Sequence, residues 1–213
     1  IAHELRTPLA VMRGEVEGMM DDLIPSDKEQ LLSLYEETGR LKKILEGIEE
    51  LFDAEASAVS LRKQSIQLKP YLRNITKRFM KLFLDKGVIL ELDCDSEVAV
   101  DADPDKLSQV VMNLLSNALK ATEEGGRVRI NVTRREAGVS IEIRDTGSGI
   151  KEKDLPFVFE RFYKGSQGGL GLGLAITKEL VQAHNGTIEA KSEYGKGSVF
   201  SVYFPSSSLH NLS

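Results

Sequence analysis

Two runs of apolar residues repeat on one spacing and restrict this chain more than anything else in it. Leu5, Leu9, Met12, Val16, Met19 and Leu23 are separated by 4, 3, 4, 3 and 4 residues, and Leu34, Thr38, Leu41, Leu45, Ile48 and Phe52 repeat the same series. A repeat of this period marks a helix that packs lengthwise on another helix. Ile24-Pro25-Ser26 interrupts the two runs. Ser26 with Glu29 three residues on reads as a capping box that starts the second helix. The expectation is an antiparallel helical hairpin, the first helix ending near Leu23. One hairpin cannot hide two seams. Two hairpins can, so a homodimer through residues 1–60, closed as a four-helix bundle, is expected. The alternative is that the seams pack on the remainder of the chain.

Continued backwards, the first seam passes through Ala2 and leaves His3 beside it, on a rim facing water, with Glu4 further round. A neutral imidazole is well populated near neutral pH. Glu4 can hold the proton of one ring nitrogen while the other attacks an electrophile. Thr7 lies one turn on along the same face. Pro8 has no N–H for the carbonyl of Glu4, which loosens the helix beside the histidine. An isolated His-Glu pair is more often an ordinary surface pair, so the weight rests on the residues downstream.

The chain has 213 residues, enough for one large domain or two small ones. Its net charge of -5 gives no support to nucleic-acid binding. Cys94 is the only cysteine, so no internal disulfide forms, as suits a reducing compartment. No apolar run is long enough to span a bilayer. The chain starts at Ile1 with the helical seam already running, which points to a piece of a longer protein.

Small residues around Ala54–Arg62 place a hinge near Ser57, between a first domain of residues 1–62 and a second of 63–213. In the second, a short strand holding Ile66 and Leu68 ends at Pro70, and a helix runs over Tyr71–Asp85. Val88–Leu92 and Val98–Asp101 read as strands. Asp103 as N-cap and Pro104 at the first helical position open a helix that Gly125-Gly126 ends. Two strands, 128–134 and 139–144, a helix over 172–183 and a closing hairpin, 187–191 with 198–204, complete it; the residues past Pro205 read as a frayed tail. Helices and strands in mixed order imply an α+β fold, with helices on one face of a mostly antiparallel sheet.

Four stretches carry groups that packing does not explain. Asn113, Asn117 and Lys120 share one helix face. Neutral amide oxygens there can complete the shell of a hard cation and Lys120 can meet phosphate, or the face is simply solvated. Asp145-Thr146-Gly147-Ser148-Gly149-Ile150 comes directly after a strand; its glycines allow close backbone approach and its carboxylate accepts hydrogen bonds. In Phe157–Lys164, aromatics alternate with charge, which fits an irregular flap anchored by its phenylalanines, with Tyr163 and Lys164 able to reach a ligand. Gly165–Gly173 runs into a helix start, where free N–H groups suit phosphate. It is neither a Walker loop nor a Rossmann turn; a mobile lid is the better reading.

Taken in order, His-Glu-x-x-Thr-Pro-Leu, Asn-x-x-x-Asn, Asp-x-Gly-x-Gly, the aromatic stretch and Gly-Leu-Gly-Leu-Gly-Leu resemble the two-component sensor histidine kinases over nearly the whole chain. The resemblance implies a dimerisation and histidine-phosphotransfer hairpin ahead of a catalytic ATP-binding domain of the gyrase-like (Bergerat-type) fold. It implies His3 as phosphoacceptor, Glu4 as the base beside it, and Thr7 as the residue positioning water for dephosphorylation of the partner. It implies Mg2+ on Asn117, helped by Asn113, and phosphates on Lys120. Asp145 would read adenine in a pocket shaped by Gly147, Gly149 and Ile150. Tyr163 and Lys164 would border the nucleotide; Gly169, Leu170, Gly171, Leu172 and Gly173 would surround its phosphates. The substrate would be ATP and the partner a response regulator receiver domain. The piece would be cytoplasmic, its parent anchored in a bacterial inner membrane. Two departures from the family pattern stand out: Leu170 replaces a small or hydroxylated residue, and the lid between Phe162 and Gly169 is short.

Two other functions fit parts of the sequence. A clamp-type ATP hydrolase of the same fold needs a water-activating glutamate four residues before Asn117, and that position is Asn113. A dimeric scaffold that merely binds nucleotide would leave His3 and Glu4 idle.

Overall fold

The computed structural model describes residues 2–56, 60–95, 97–164 and 170–206, the His3 side chain excepted. The chain divides into two compact units, Ile1–Phe52 and Asp53–Ser213. The expected hinge at Ser57 and the tail after Ser206 lie outside the described residues.

The first unit is a helical hairpin of α1 (Ala2–Met20) and α2 (Lys28–Ala56, whose last turn falls in the second unit). The end of α1 and the cap of α2 both lie a short way from the positions that local pattern predicts. α1 ends at Met20, not Leu23, because Asp22 adopts φ 57°. Asp22 N–H donates to Met19 O and Leu23 N–H to Gly18 O, at 3.3 and 2.9 Å, the Schellman pattern of helix closure. The cap of α2 is Asp27, not Ser26: its Oδ1 accepts from the backbone N–H groups of Glu29 and Gln30 at 2.9 and 3.1 Å. Pro8 sits within α1 without interrupting it.

The heptad seams need a correction too. Leu5, Met12 and Met19 on α1, and Leu34, Leu41 and Ile48 on α2, are at least partly covered. The alternate members are not: Leu9, Val16, Leu45 and Phe52 are 52, 42, 47 and 57% exposed. The covered stripes are instead filled in by Pro8 and Glu15 on α1, and by Glu37, Ile44 and Leu51 on α2. A hairpin in one chain covers each helix from one side only, which leaves the second half of each seam outward. Ser33 Oγ donates to Glu15 Oε1 at 3.0 Å and ties the helices together.

The second unit comprises β1 (Gln64–Gln67), α3 (Leu68–Asp85), β2 (Ile89–Cys94), β3 (Ala99–Ala102), α4 (Pro104–Ala121), β4 (Arg127–Arg135), β5 (Gly138–Asp145), a 3-10 turn (Leu155–Phe157), α5 (Gly173–Ala183), β6 (Thr187–Glu193) and β7 (Gly197–Pro205). β1 and β3 pair antiparallel as a separate ribbon. The main sheet has the order β2-β4-β5-β7-β6, with only β2 and β4 parallel. Pro70 does not end a strand; it lies in the first turn of α3, where its missing N–H costs no helical bond. α4 stops at Ala121, before the glycines, because Thr122 turns to an extended conformation. Asp103 caps α4 as its sequence implies, with Oδ1 accepting from Asp105 and Lys106 N–H.

Register builds the core. Ile130 faces Ile143 and Ile143 faces Phe200; Val132 faces Ile141 and Ile141 faces Val202. All are buried, as are Leu107, Val111, Leu114 and Leu115 of α4, Leu180 and Val181 of α5, and Leu72, Ile75 and Phe83 of α3. Side chains two apart on a strand share a face, so Asp145, at the end of β5 opposite Val128, belongs to this same apolar face.

His184, just past α5, is buried in its neutral form. Its Nε2 accepts from Asp103 N–H at 3.0 Å and its Nδ1 lies 2.7 Å from Leu180 O. Burial lowers its affinity for a second proton.

Candidate functional site

Asp145 is a carboxylate on a hydrophobic face, 3% exposed. Burial pushes its pKa up, against the lowering effect of two backbone N–H groups, those of Gly147 and Ser198, which donate to Oδ1 at 2.9 and 3.2 Å. Oδ1 therefore carries both bonds and fixes the carboxylate plane, and none of these bonds, among the described residues, is made by Oδ2. No sequence motif marks Ser198. It reaches Asp145 through the pairing of β5 with β7, a contact between residues 53 apart that no local signal predicts.

The glycines after Asp145 are required by the chain's own backbone. A Cβ on Gly147 would stand 2.3 Å from Ala121 O, and one on Gly149, at φ 64°, 2.2 Å from Glu193 O. Ser148 N–H donates to Ala121 O at 3.1 Å, and Ile150 N–H to Ser192 Oγ at 2.8 Å. The loop is thus seated on the C-terminal end of α4.

α4 also holds the second glycine segment. Asn113 Nδ2 donates to Gly173 O at 3.2 Å, at the start of α5. Gly171, at φ 70°, accepts from Phe162 N–H through its carbonyl, and a Cβ there would meet Tyr163 O at 2.5 Å. Leu172 is the N-cap of α5 and supplies no side-chain bond, so its side chain leaves the first-turn N–H groups at the positive end of the helix uncapped. Leu170 is half-buried, and Gly169 lies outside the described residues.

Asn117 lies on α4 four residues from Asn113 and four from Ala121, on the strip between the two glycine loops. Among the described residues none bonds its half-buried amide. Lys120 stands exposed in the last turn of α4. The three α4 residues grouped by spacing thus remain together, but Asn113 has a structural role in tying α4 to α5.

The flap differs from expectation. Phe157 is not an anchor; it is exposed, stacked obliquely on Tyr163 with centroids 6.1 Å apart. Val158 is the buried residue, and Phe159 meets Phe200 edge to face. Tyr163 is bonded to the Asp154 carboxylate, which raises its pKa. Lys164 is exposed. Arg161 forms ion pairs with Glu55 and Glu179.

In the other unit, Glu4 is half-buried and Thr7 exposed on α1. The expected rim position of the His3 ring lies outside the described residues. Among them no group of three His, Cys, Asp or Glu could hold a metal, and no helix is long and apolar enough to cross a membrane.

Known proteins match this arrangement. The family model described as Histidine kinase-, DNA gyrase B-, and HSP90-like ATPase matches residues 102–208, and that of the His Kinase A (phospho-acceptor) domain matches residues 1–57. The signal transduction histidine-protein kinase BaeS of Escherichia coli (strain K12) is 37% identical over 206 residues, which cover 93% of this chain and 44% of BaeS. The solved structure of Acinetobacter baumannii histidine kinase AdeS is similar with a TM-score of 0.75 and 26% identity, over 97% of this chain and 99% of that one. A complex of histidine kinase ThkA with the response regulator protein TrrA shares the fold, with a TM-score of 0.72 at 24% identity, over 97% of this chain and 60% of that one. The chain spans less than half the length of the curated relatives it matches.

Proposed function

The chain belongs to the histidine kinase-, DNA gyrase B- and HSP90-like ATPase family, with a His Kinase A domain ahead of it, and from that premise we propose that it is the catalytic core of a sensor histidine kinase. It uses ATP to phosphorylate His3 and passes the phosphoryl group to an aspartate of a response regulator.

The observation that carries this reading is the strip of α4 between two glycine loops. Asp145 closes one end with a fixed carboxylate on the apolar face, suited to a purine amino group. The N-terminus of α5, which its N-cap side chain leaves uncapped, closes the other and suits phosphate oxygens. Lys120 adds a positive charge beside them. Asn117 fits Mg2+, since its half-buried amide is engaged by no described residue and is a neutral oxygen ligand. Bound there with ATP, Mg2+ would supply charge neutralisation at the phosphate oxygens.

In the transfer step a ring nitrogen of His3 attacks the γ-phosphorus. The P–N bond forms as the bond to the bridging oxygen breaks, and ADP leaves with that electron pair. Glu4 holds the proton on the other ring nitrogen and so keeps the attacking one free. Thr7, exposed one turn on, positions water for hydrolysis of the regulator's acyl phosphate. The exposed halves of the two seams, Leu9 with Val16 and Leu45 with Phe52, meet a second copy of the hairpin.

The hydrolase reading is disfavoured by Asn113, which has no basic group and donates to Gly173. Incubation with γ-labelled ATP decides between them. A histidine kinase gives acid-labile, base-stable label on protein that His3→Gln removes. A clamp hydrolase releases free phosphate and labels no protein; a scaffold does neither.

A further inference from the structure

We infer that Lys86, at the end of α3, is a positioning residue for the nucleotide site, acting through the C-terminal end of α4. The inference rests on reading the strip of α4 as the ATP site, and it adds a residue that no motif marks.

A helix leaves its last four carbonyls without helical partners. In α4 all four are satisfied, each from outside the regular helix. Ala118 O accepts Thr122 N–H and Oγ1 at 3.1 and 2.7 Å. Leu119 O and Lys120 O both accept from Lys86 Nζ, at 2.8 and 3.2 Å. Ala121 O accepts Ser148 N–H. The ammonium of Lys86 thus sits where a helix end is most negative and closes two of four positions at once. Its own backbone is fixed by the next residue. Gly87, at φ 68°, accepts Gly125 N–H through its carbonyl at 2.8 Å, so the end of α3 and the loop after α4 are one knot.

What Lys86 holds is the working end of the site. Lys120 is one of the residues whose carbonyl it binds. Ala121, the next residue, is the seat against which Gly147 leaves no room for a Cβ and to which Ser148 is bonded. Asp145 begins that loop. Without the ammonium, two helix carbonyls lose their donor, the last turn of α4 is free to fray, and Lys120 and the Asp145 loop lose their fixed spacing. His3 is on another element and is untouched. The effect therefore falls on ATP binding and not on the transfer step.

The test measures autophosphorylation of the full chain against ATP concentration, with MgADP binding by calorimetry. K86M raises KM for ATP and Kd for MgADP by roughly tenfold, and kcat stays within about twofold. K86R, which restores a cationic donor, returns both constants to within about twofold of the parent chain. Should K86M fold poorly, K86Q, a neutral donor with a shorter reach, takes its place and shows the same KM-only defect. An unchanged KM in a folded K86M or K86Q chain overturns the inference, as does a loss of kcat that matches the loss in KM. Asn117→Ala separates the two levels. If it leaves MgADP affinity intact, the reading of α4 as the nucleotide site fails and takes this inference with it. If it removes binding while K86M does not weaken it, the role of Lys86 alone fails.

Discussion

In the α/β unit the apolar face of the sheet is covered within one chain, so that Ile130, Ile141 and Ile143 see almost no water. In the hairpin, half of each heptad seam remains outside, and the seam residues Leu9, Val16, Leu45 and Phe52 stand roughly half exposed. The two units solve the same problem with different resources. A five-stranded sheet has a broad face that three helices can close. A helix has two flanks, and a two-helix hairpin covers only one flank of each. The first unit therefore leaves an apolar surface that its own chain does not cover, the surface on which the proposed second copy would pack, and the second unit encloses its core around the proposed nucleotide site.

That contrast can be broken in several places. The largest effect expected is from His3→Gln, which removes all label from the protein while MgADP affinity stays within about twofold. A parallel loss of MgADP binding would mean that the site is not confined to the second unit. Next is Ile143→Ala, in the middle of the sheet. Chemical denaturation should show the second unit destabilised by about 2–5 kcal/mol, with the oligomeric state unchanged. Leu45→Asp is the reciprocal experiment. It should weaken self-association by about a hundredfold, read by light scattering across a dilution series, and leave MgADP affinity and the melting of the second unit in place. If Leu45→Asp unfolds the hairpin instead, the outward half of the seam is part of a core within one chain.

The smallest effect is a pH dependence inside the second unit. His184 has a folded pKa below its ordinary 6.5, so the unfolded chain binds the extra proton first. Stability is complete above about 6.5 and is lost as pH falls from there toward the folded value. On acidification Nε2 can no longer accept from Asp103 N–H, the residue that caps α4. Denaturation midpoints at about pH 7.5 and about pH 5.5 should therefore differ less in His184→Gln than in the parent chain. An equal drop in both would assign the pH response to other groups.

Much of the site was legible because its chemistry is local. The Asp103-Pro104 start of α4, the Asp-x-Gly-x-Gly loop after β5 and the glycines before α5 are short patterns that stand out in the sequence, although the backbone that requires Gly147 and Gly149 to be glycine, at Ala121 and Glu193, is distant in the chain. Other parts were not legible because they depend on distant residues. Ser198 and Lys86 each act on partners more than 30 positions away. Phe157, expected among the anchors of the flap, is exposed and its neighbour Val158 is buried, since an irregular segment has no period from which to tell inside from outside. Asp27 displaced Ser26 as a helix cap by one residue, a choice between two adjacent side chains of equal competence.

By itself the sequence determined the order and kind of the elements, the existence of a hairpin and an α+β unit, and the residue types gathered along α4, because periodicity, caps and turns are short-range. Only the tertiary structure decided which half of each seam is covered, that Asp145 is buried on the apolar side of the sheet, and that Lys86 closes the end of α4. Those outcomes are set by strand register and by the meeting of chain ends, where a one-residue slip would reverse a face or break a bond, and nothing within a window of neighbouring residues carries that information.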